Sequence, residues 1–192
     1  NYYGDGVTQT EAETFYNAMK QEGDPRPVMY GMNSRLVKAD GKLQEKVWKS
    51  GGLYGAAIDR IIYWLEKAAG VAENGKQAEV LRKLIEFYRT GDLKTFDEST
   101  ILWVQETEAM VDFTNGFMET YGDPLGLKAS WEGYANFKDL EATVRTEKLS
   151  ANAQWFEDHS PVDDRFKKAE CRGVSAKVIK AAILGGDLYP AS

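Results

Sequence analysis

A chain of 192 residues with 43% hydrophobic and 12% aromatic residues can bury a core, as one domain or as one domain with part of a second. Its net charge of −6, with lysine and arginine scattered along the chain, argues against binding to nucleic acid or to an anionic membrane. The single cysteine, Cys171, cannot form an internal disulfide, and no apolar run approaches the roughly 20 residues that span a bilayer. We therefore expect a globular protein stabilised by packing, with no nucleic-acid or membrane partner.

The N-terminal third of the sequence predicts a helix followed by a β-hairpin. Thr8 and Glu11 have the spacing of a capping box, and the apolar residues after them recur at helical intervals. Further on, Asp40-Gly41 separates the apolar runs 28–37 and 43–48. Because an Asp-Gly pair favours a two-residue turn, we expect these runs to pair as antiparallel strands.

Three helices are expected in the middle of the chain. Ala57 opens an apolar stripe at helical spacing, Asn74 can cap the next helix, and Gly91 can close it. Asp92 then has the position of a cap for a third helix. No phosphate-binding motif accompanies the glycines at 51, 52 and 55, so a simple turn is expected there.

The second half of the chain is harder to assign. Residues 101–121 are rich in Val, Phe, Thr and Met, which favours extended structure over a surface helix, but both stay open. Residues 140–156 predict a helix, and residues 174–184 alternate only loosely. Together these patterns predict an α+β fold that is predominantly helical with a small β core.

The residues alone do not predict a metal site or a catalytic nucleophile. A zinc hydrolase commonly carries two histidines on one helix, and this chain has one histidine, His159, which we expect to contact its neighbours in a loop. No G-x-S-x-G motif supplies a serine nucleophile. Acidic pairs such as Glu106 with Glu108, or Glu119 with Asp123, are expected by chance in a chain with 30 acidic residues.

One stretch of the sequence is specific enough to indicate a family. Residues 116–126 read GFMETYGDPLG, after WVQ at 103–105 and before WEG at 131–133. This region resembles the signature region of the dipeptidyl-peptidase III family and matches nearly all of its pattern. NSRL at 33–36 and WFEDHSPVD at 155–163 also resemble the family, and the second is similar to bacterial members. The resemblance covers essentially the whole chain.

The resemblance implies roles for two residues of this motif. Family members are zinc exopeptidases that remove dipeptides from the N-terminus of short peptides. By the resemblance, Glu119 binds the free amino group of the substrate, and Tyr121 hydrogen-bonds near the scissile carbonyl as a catalytic and substrate-binding residue. If the segment is extended, alternation along a strand places both side chains on one face. Without the resemblance, Glu119 would be a solvated carboxylate and Tyr121 a packed aromatic residue. Trp103 and Trp131 are expected in the core, with the wall of a cleft as the alternative.

The sequence departs from the family at the metal site. The His-Glu-x-x-x-His zinc motif and the later glutamate ligand of the family are missing from this chain. With no initiator methionine and no charged C-terminal tail, the chain is expected to be an internal fragment of a longer parent. We expect zinc to bind the full-length parent, whereas this fragment binds no zinc and hydrolyses nothing. Its expected partners are a short peptide with a free N-terminus and the remainder of the parent chain.

The resemblance also implies how the chain is divided. Residues 1–137 are expected in the lower lobe as a helical and β-core region, residues 138–173 in the upper lobe, and residues 174–192 in the returning lower-lobe β core. The chain would thus be part of a two-lobed zinc peptidase, mostly of its lower lobe. We expect it in the cytoplasm, with secretion left open.

Two alternatives stay open. The same fold can serve as a non-catalytic peptide-binding or interaction domain. The surplus carboxylates can also belong to an unrelated acid/base hydrolase, which predicts a pocket with paired carboxylates of perturbed pKa.

Overall fold

The computed structural model describes residues 2–172 and 177–186, and these form six helices and five strands. Along the chain they are α1 (Gln9–Met19), β1 (Ser34–Ala39), β2 (Lys42–Val47), α2 (Gly55–Gly70), α3 (Gly75–Thr90), α4 (Leu93–Gln105), β3 (Val111–Glu119), β4 (Ser130–Lys138), α5 (Leu140–Ala151), α6 (Ala153–Asp158) and β5 (Ile179–Gly185). A short 3-10 helix, Asp164–Phe166, lies between α6 and β5.

The chain divides into two units. The described residues of unit 1 are 2–109, 115–132 and 186, and those of unit 2 are 110–114, 133–172 and 177–185. β3 and β4 each contribute residues to both units. The assignment of residues 1–137, 138–173 and 174–192 to lobes stays a prediction.

The capping box of α1 is confirmed. The Thr8 hydroxyl accepts a hydrogen bond from the Glu11 backbone N–H at 3.3 Å, and the Glu11 carboxylate accepts one from the Thr8 N–H at 3.0 Å. Two of the donors that every helix N-terminus leaves unpaired are thereby satisfied.

The β-hairpin is also confirmed, although its first strand begins at Ser34 rather than Val28. β1 and β2 pair antiparallel around Asp40-Gly41, with Ala39 opposite Lys42. Asp40 and Gly41 have φ angles of 50° and 72°, the left-handed conformation that a tight two-residue hairpin turn requires. The N-terminal segment joins β1, because the Leu36 N–H donates to the Tyr2 carbonyl at 2.9 Å.

The three predicted middle helices form with the predicted caps. Asn74 caps α3 by accepting from the Gln77 N–H at 2.8 Å, and Asp92 caps α4 by accepting from the Thr95 N–H at 2.8 Å. Gly91 ends α3 with a φ of 75°. A Cβ at Gly91 would lie 2.6 Å from the Val47 side chain, so glycine is needed there for its size as well as its conformation.

Helices α2 to α4 supply most of the buried apolar side chains of unit 1. α3 is the most deeply buried of them, and its Phe87 packs against Phe96 of α4 with ring centroids 4.6 Å apart. A second cluster joins α1 to β1 through Ala12, Tyr16 and Leu36. The buried apolar residues of these three helices are Ile58, Ile62, Leu65, Ala78, Val80, Leu81, Leu84, Ile85, Phe87, Tyr88 and Phe96.

The ambiguous segment 101–121 divides between a helix and a strand. α4 continues to Gln105, so the preference for extended structure is wrong for residues 101–105 and right for β3. Gly116 lets β3 approach α4 closely, because a Cβ at this position would lie 2.7 Å from the Phe96 ring.

In unit 2, β4 pairs antiparallel with β5, and their register shifts between Ala135 and Asn136. Asp139 caps α5 by accepting from the Ala142 N–H at 3.0 Å, and it forms an ion pair with Lys180 of β5 at 2.9 Å. The predicted helix 140–156 is divided at Asn152 into α5 and α6. The loosely alternating segment 174–184 contains most of β5, which begins at Ile179, and residues 173–176 lie outside the described part of the chain.

The sheet to which these strands belong has the order β3-β4-β5. Six helices, a hairpin and this sheet agree with the predicted α+β class with its small β content. Within the described residues, no helix is long and apolar enough to cross a membrane.

Candidate functional site

The motif at residues 116–126 runs from the end of β3 into a turn. Glu119 is the last residue of β3 and is exposed. Tyr121 follows in the turn with 72% of its surface accessible. The strand ends before Tyr121, so the condition under which alternation would place both side chains on one face is not met. Both side chains are nevertheless exposed.

The Asp123 carboxylate holds the motif turn, which we define as residues 120–128. Its Oδ2 accepts from the backbone N–H groups of Leu127 and Lys128, both at 2.9 Å, and its Oδ1 accepts from the Leu125 N–H at 3.2 Å. The Tyr3 hydroxyl donates to the same Oδ2 at 2.8 Å. One buried carboxylate thus pairs three backbone donors of the turn and ties it to the N-terminal segment.

The surroundings of Tyr3 are unfavourable for a phenolate. Burial raises the pKa of its phenol, and the hydrogen bond to the negative Asp123 carboxylate raises it further. Tyr3 therefore stays a hydrogen-bond donor over the physiological pH range.

The motif turn ends at a fully buried lysine, Lys128. Its ammonium donates to the Tyr16 hydroxyl and, at 2.9 Å, to the Ser34 hydroxyl. Both hydroxyls in turn donate to the Glu45 carboxylate, Tyr16 at 2.9 Å. The lysine cluster, formed by Tyr16, Ser34, Glu45 and Lys128, therefore connects a buried cation to a carboxylate mainly through two hydroxyl groups.

Burial lowers the pKa of Lys128 to about 8, against the opposing effect of the Glu45 and Asp123 carboxylates. Burial also raises the pKa of the Tyr16 phenol. The four residues of the lysine cluster lie on α1, β1, β2 and the motif turn. Their hydrogen bonds therefore fix the end of the turn to these three elements of unit 1.

Beside the motif, unit 1 has a cavity of about 400 Å³ that we call the aromatic pocket. Trp48 lies among three other rings, with its centroid 4.9 Å from that of Phe117, 6.2 Å from Tyr2 and 6.3 Å from Tyr54. The pocket is lined by Tyr2, Trp48, Tyr54, Ala57, Ile58, Ile61, Phe117, Ala129, Ser130 and Trp131.

A hydrogen-bond relay fixes one wall of the aromatic pocket. The Trp131 indole N–H donates to the hydroxyl of buried Tyr88 at 2.8 Å, and this hydroxyl donates to Asn115 Oδ1 at 2.7 Å. Trp131 is therefore a half-buried wall residue with its polar atom satisfied, which agrees with the alternative of a cleft wall rather than with the preferred core position. Trp103 lies on α4 and is also half-buried.

Two other carboxylates that the sequence singled out, Glu106 and Asp123, accept hydrogen bonds from donors of the fold. Glu106 Oε1 accepts from the Asn74 side chain at 3.0 Å and from the N–H groups of Glu108 and Ala109 at 2.9 and 3.0 Å. Asp123 is likewise surrounded by donors. These arrangements favour structural roles for Glu106 and Asp123, and not the acid/base pairs of a hydrolase.

A zinc site does not fit the described residues. Nowhere in residues 2–172 and 177–186 do three His, Cys, Asp or Glu side chains converge as a metal would require. The ring of His159 stacks on Trp155 with centroids 4.3 Å apart, and its Nδ1 lies 2.7 Å from the Trp155 carbonyl. The predicted contacts of His159 with its neighbours are thus confirmed.

Sequence reasoning missed the aromatic pocket and the lysine cluster. Tyr2, Trp48 and Tyr54 are far from the motif in sequence, and no periodic pattern links them. The signal for Lys128 was its position between Leu127 and Ala129 in an uncharged stretch, which is unusual for a solvated lysine.

Comparison with known proteins identifies the family. Residues 1–174 match the model described as peptidase family M49. The chain belongs to peptidase family M49. This M49 chain is 29% identical over 111 residues to dipeptidyl peptidase 3 of Dictyostelium discoideum, and 27% identical over 117 residues to that of Homo sapiens. The resemblance to the dipeptidyl-peptidase III family is therefore confirmed.

These matches cover 58% and 61% of the M49 chain but 16% of each relative. The chain thus spans a small part of the length of the curated relatives.

Two solved structures share the fold. The structure of DPP III from Caldithrix abyssi matches with a TM-score of 0.76 at 22% identity, and DPP III from Corallococcus sp. strain EGB with 0.65 at 23%. Each match covers 97% of the M49 chain and 34% of the solved chain. The predicted fold, part of a dipeptidyl-peptidase III structure, is confirmed.

Proposed function

We propose that this chain contributes peptide-binding residues to a zinc-dependent dipeptidyl-peptidase, which removes dipeptides from the N-terminus of short peptides. The observation that carries the proposal is the exposure of Glu119 at the end of β3 and of Tyr121 in the motif turn, whose backbone is fixed by Asp123. Membership of the M49 family and the name of the relatives support the same activity.

The two side chains suit complementary tasks. The Glu119 carboxylate pairs with the ammonium of a free peptide N-terminus, because a charge-assisted hydrogen bond is the strong contact that an ammonium can form. The Tyr121 phenol donates to the carbonyl oxygen of the scissile peptide bond and stabilises the negative charge that develops there. The rigid motif turn keeps the phenol in place without ordering it anew for each substrate.

Zinc would be bound by other residues of a longer protein. When bound, it would polarise the scissile carbonyl and activate the attacking water. This chain therefore binds no catalytic zinc and hydrolyses nothing on its own, and the remainder of the parent chain is its first partner. Location in the cytoplasm stays a prediction.

A paired assay tests this proposal. Dipeptide release from a free-amine peptide is followed for this chain and for the longer parent, with bound zinc measured by elemental analysis. We expect an active, zinc-loaded parent and an inert, zinc-free chain. Hydrolysis by the chain itself overturns the proposal. An inactive parent that still binds peptides favours the alternative, a non-catalytic peptide-binding domain of the same fold.

Substitutions in the parent assign the two roles. Glu119→Gln should lower kcat/KM by at least about tenfold, because the ammonium loses its anionic partner. Tyr121→Phe should lower kcat by about 100-fold, the usual cost of losing one donor to a developing oxyanion. Glu79→Gln, a matched change on the exposed face of α3, should leave both constants unchanged. Equal kinetics for Glu119→Gln and Glu79→Gln would contradict the assigned role of Glu119.

A further inference from the structure

The walls of the aromatic pocket carry no charge. Its ten lining residues are aromatic or aliphatic except for Ser130. A charged side chain would lose its hydration on entering such a site without gaining a partner, whereas an apolar side chain gains from leaving water. The volume of about 400 Å³ lies in the range of small-ligand sites, about 300–1,000 Å³. The pocket therefore suits an aromatic or large aliphatic group.

The aromatic pocket is continuous with the motif. Phe117 forms part of its wall, and Glu119 lies two residues further along β3, so alternation places the two side chains on the same face of the strand. Ser130, another wall residue, donates to the Glu119 carbonyl at 3.4 Å. The Tyr2 hydroxyl lies 3.6 Å from the position that a Cβ on Gly122 would take. Both ends of the Glu119–Tyr121 segment thus adjoin pocket residues.

One wall residue also has an unused donor. Trp48 is 6% exposed, and no described residue accepts a hydrogen bond from its indole N–H. Buried N–H groups are nearly always paired in native proteins. An acceptor for this atom would therefore come from outside the described residues.

We propose that the aromatic pocket binds an aromatic or large aliphatic side chain of a peptide whose ammonium is held by Glu119. The pocket thereby selects peptides with such a residue near the N-terminus over peptides with small or charged ones. This inference rests on the proposed function of Glu119, because that contact sets where the peptide begins.

The experiment measures peptide binding to the 192-residue chain by isothermal titration calorimetry. Two free-amine tetrapeptides are compared, one with Phe and one with Ala at both of its first two positions, and a third carries Lys there. The Phe peptide should bind at least about tenfold more tightly than the other two.

A filling substitution locates the preference. Ala57 is an exposed helical residue that lines the pocket, so Ala57→Phe should fill the cavity without disturbing the core. Its neighbour Ala56 is also exposed but does not line the pocket, which makes Ala56→Phe the matched control. Ala57→Phe should abolish the preference for Phe, and Ala56→Phe should retain it. A preference that survives Ala57→Phe, or no preference in the wild type, overturns the inference.

The two proposals fail in different ways. Glu119→Gln and N-acetylation should weaken all three peptides equally if Glu119 binds the ammonium. If binding requires the free amine but all three peptides bind equally, the inference about the pocket is overturned and the role of Glu119 stands. If the Phe peptide is preferred but Glu119→Gln leaves all affinities unchanged, the role of Glu119 is overturned. No binding of any peptide at millimolar concentration overturns both. If sedimentation shows that the wild type is a dimer and that Ala57→Phe is a monomer, the occupant of the aromatic pocket is a second copy of the chain. This result also overturns the inference.

Discussion

Two carboxylates four residues apart in one motif have opposite surroundings. Asp123 is buried and accepts four hydrogen bonds, three from the backbone of the motif turn and one from Tyr3. Glu119 is exposed at the end of β3. The same contrast separates two tyrosines, since Tyr3 is half-buried against Asp123 whereas Tyr121 is 72% exposed.

The difference shows how a short motif can combine support with recognition. A ligand needs side chains that are accessible, but accessible side chains on an unsupported loop would lose conformational freedom when they bind. Asp123 and the lysine cluster fix the backbone that follows the exposed residues, so part of this loss of freedom has already occurred on folding. Substitutions of the buried supporting residues should therefore lower the free energy of unfolding, whereas substitutions of the exposed residues should change peptide binding.

The largest effect on stability is expected at Asp123. Asp123→Ala leaves three backbone N–H groups and the Tyr3 hydroxyl without their acceptor. We expect a loss of about 3–5 kcal/mol in the free energy of unfolding, measured by urea denaturation. Glu119→Gln is the matched control and should change this free energy by less than about 0.5 kcal/mol. Equal losses for the two variants would remove the contrast between the carboxylates.

The lysine cluster should give a pH-dependent effect. Lys128 has a pKa of about 8 in the folded chain against an ordinary value of 10.5, so the unfolded chain binds more protons between these pH values. Stability from this group therefore rises as the pH increases through that window. Tyr3 and Tyr16, whose pKa values are raised, act in the opposite direction only once an unfolded tyrosine would ionise, above about pH 10.

The measurement is urea denaturation of the wild type and of Lys128→Met at several pH values. From about pH 8 to pH 10 the free energy of unfolding of the wild type should gain about 2 kcal/mol relative to the variant. Lys20→Met, at an exposed position, is the control for the loss of one positive charge. A difference independent of pH would show that Lys128 keeps an ordinary pKa in the fold.

A smaller effect is expected at Tyr3. Tyr3→Phe removes one of the four donors to Asp123 while leaving the ring, so the carboxylate keeps its three backbone partners. The free energy of unfolding should fall by about 1 kcal/mol, measured as for Asp123→Ala. When Tyr3→Phe is added to Asp123→Ala, it should lower the free energy of unfolding by almost nothing further, because the Tyr3–Asp123 hydrogen bond is already lost. Additive effects in the double variant would show that Tyr3 and Asp123 act independently.

Local chemistry explains which parts of the fold were predictable. The caps at Thr8, Asn74 and Asp92 and the Asp40-Gly41 turn each depend on residues within four positions of one another, and all of them form as predicted. The boundary between α4 and β3 was not predictable in this way. The close approach of β3 to α4 is also non-local, because it brings together Gly116 and Phe96, which are 20 positions apart and carry no shared pattern.

The candidate site likewise has a part that the sequence predicted and a part that it did not. The motif singled out Glu119 and Tyr121, and the structure places both at the surface, but their roles stay predictions. The support beneath them was only partly local: Asp123 accepts from three backbone N–H groups within five positions, but Tyr3 and Ser34, partners of Asp123 and Lys128, are more than 90 residues away. A carboxylate in a motif is equally compatible with binding and with support, and the distinction between Glu119 and Asp123 required the hydrogen bonds themselves.

The smallest effect on stability is expected at the exposed residues, where function should change instead. Tyr121→Phe should alter the free energy of unfolding by less than about 0.5 kcal/mol, because 72% of the surface of the residue is accessible. Asp123→Asn, by contrast, should loosen the motif turn and lower both stability and peptide affinity. If Tyr121 recognises the peptide directly, Tyr121→Phe lowers affinity in calorimetry while urea denaturation is unchanged. Loss of stability in Tyr121→Phe would place this tyrosine with Tyr3 among the supporting residues. Glu119 would then be the single residue of the motif proposed to bind the peptide.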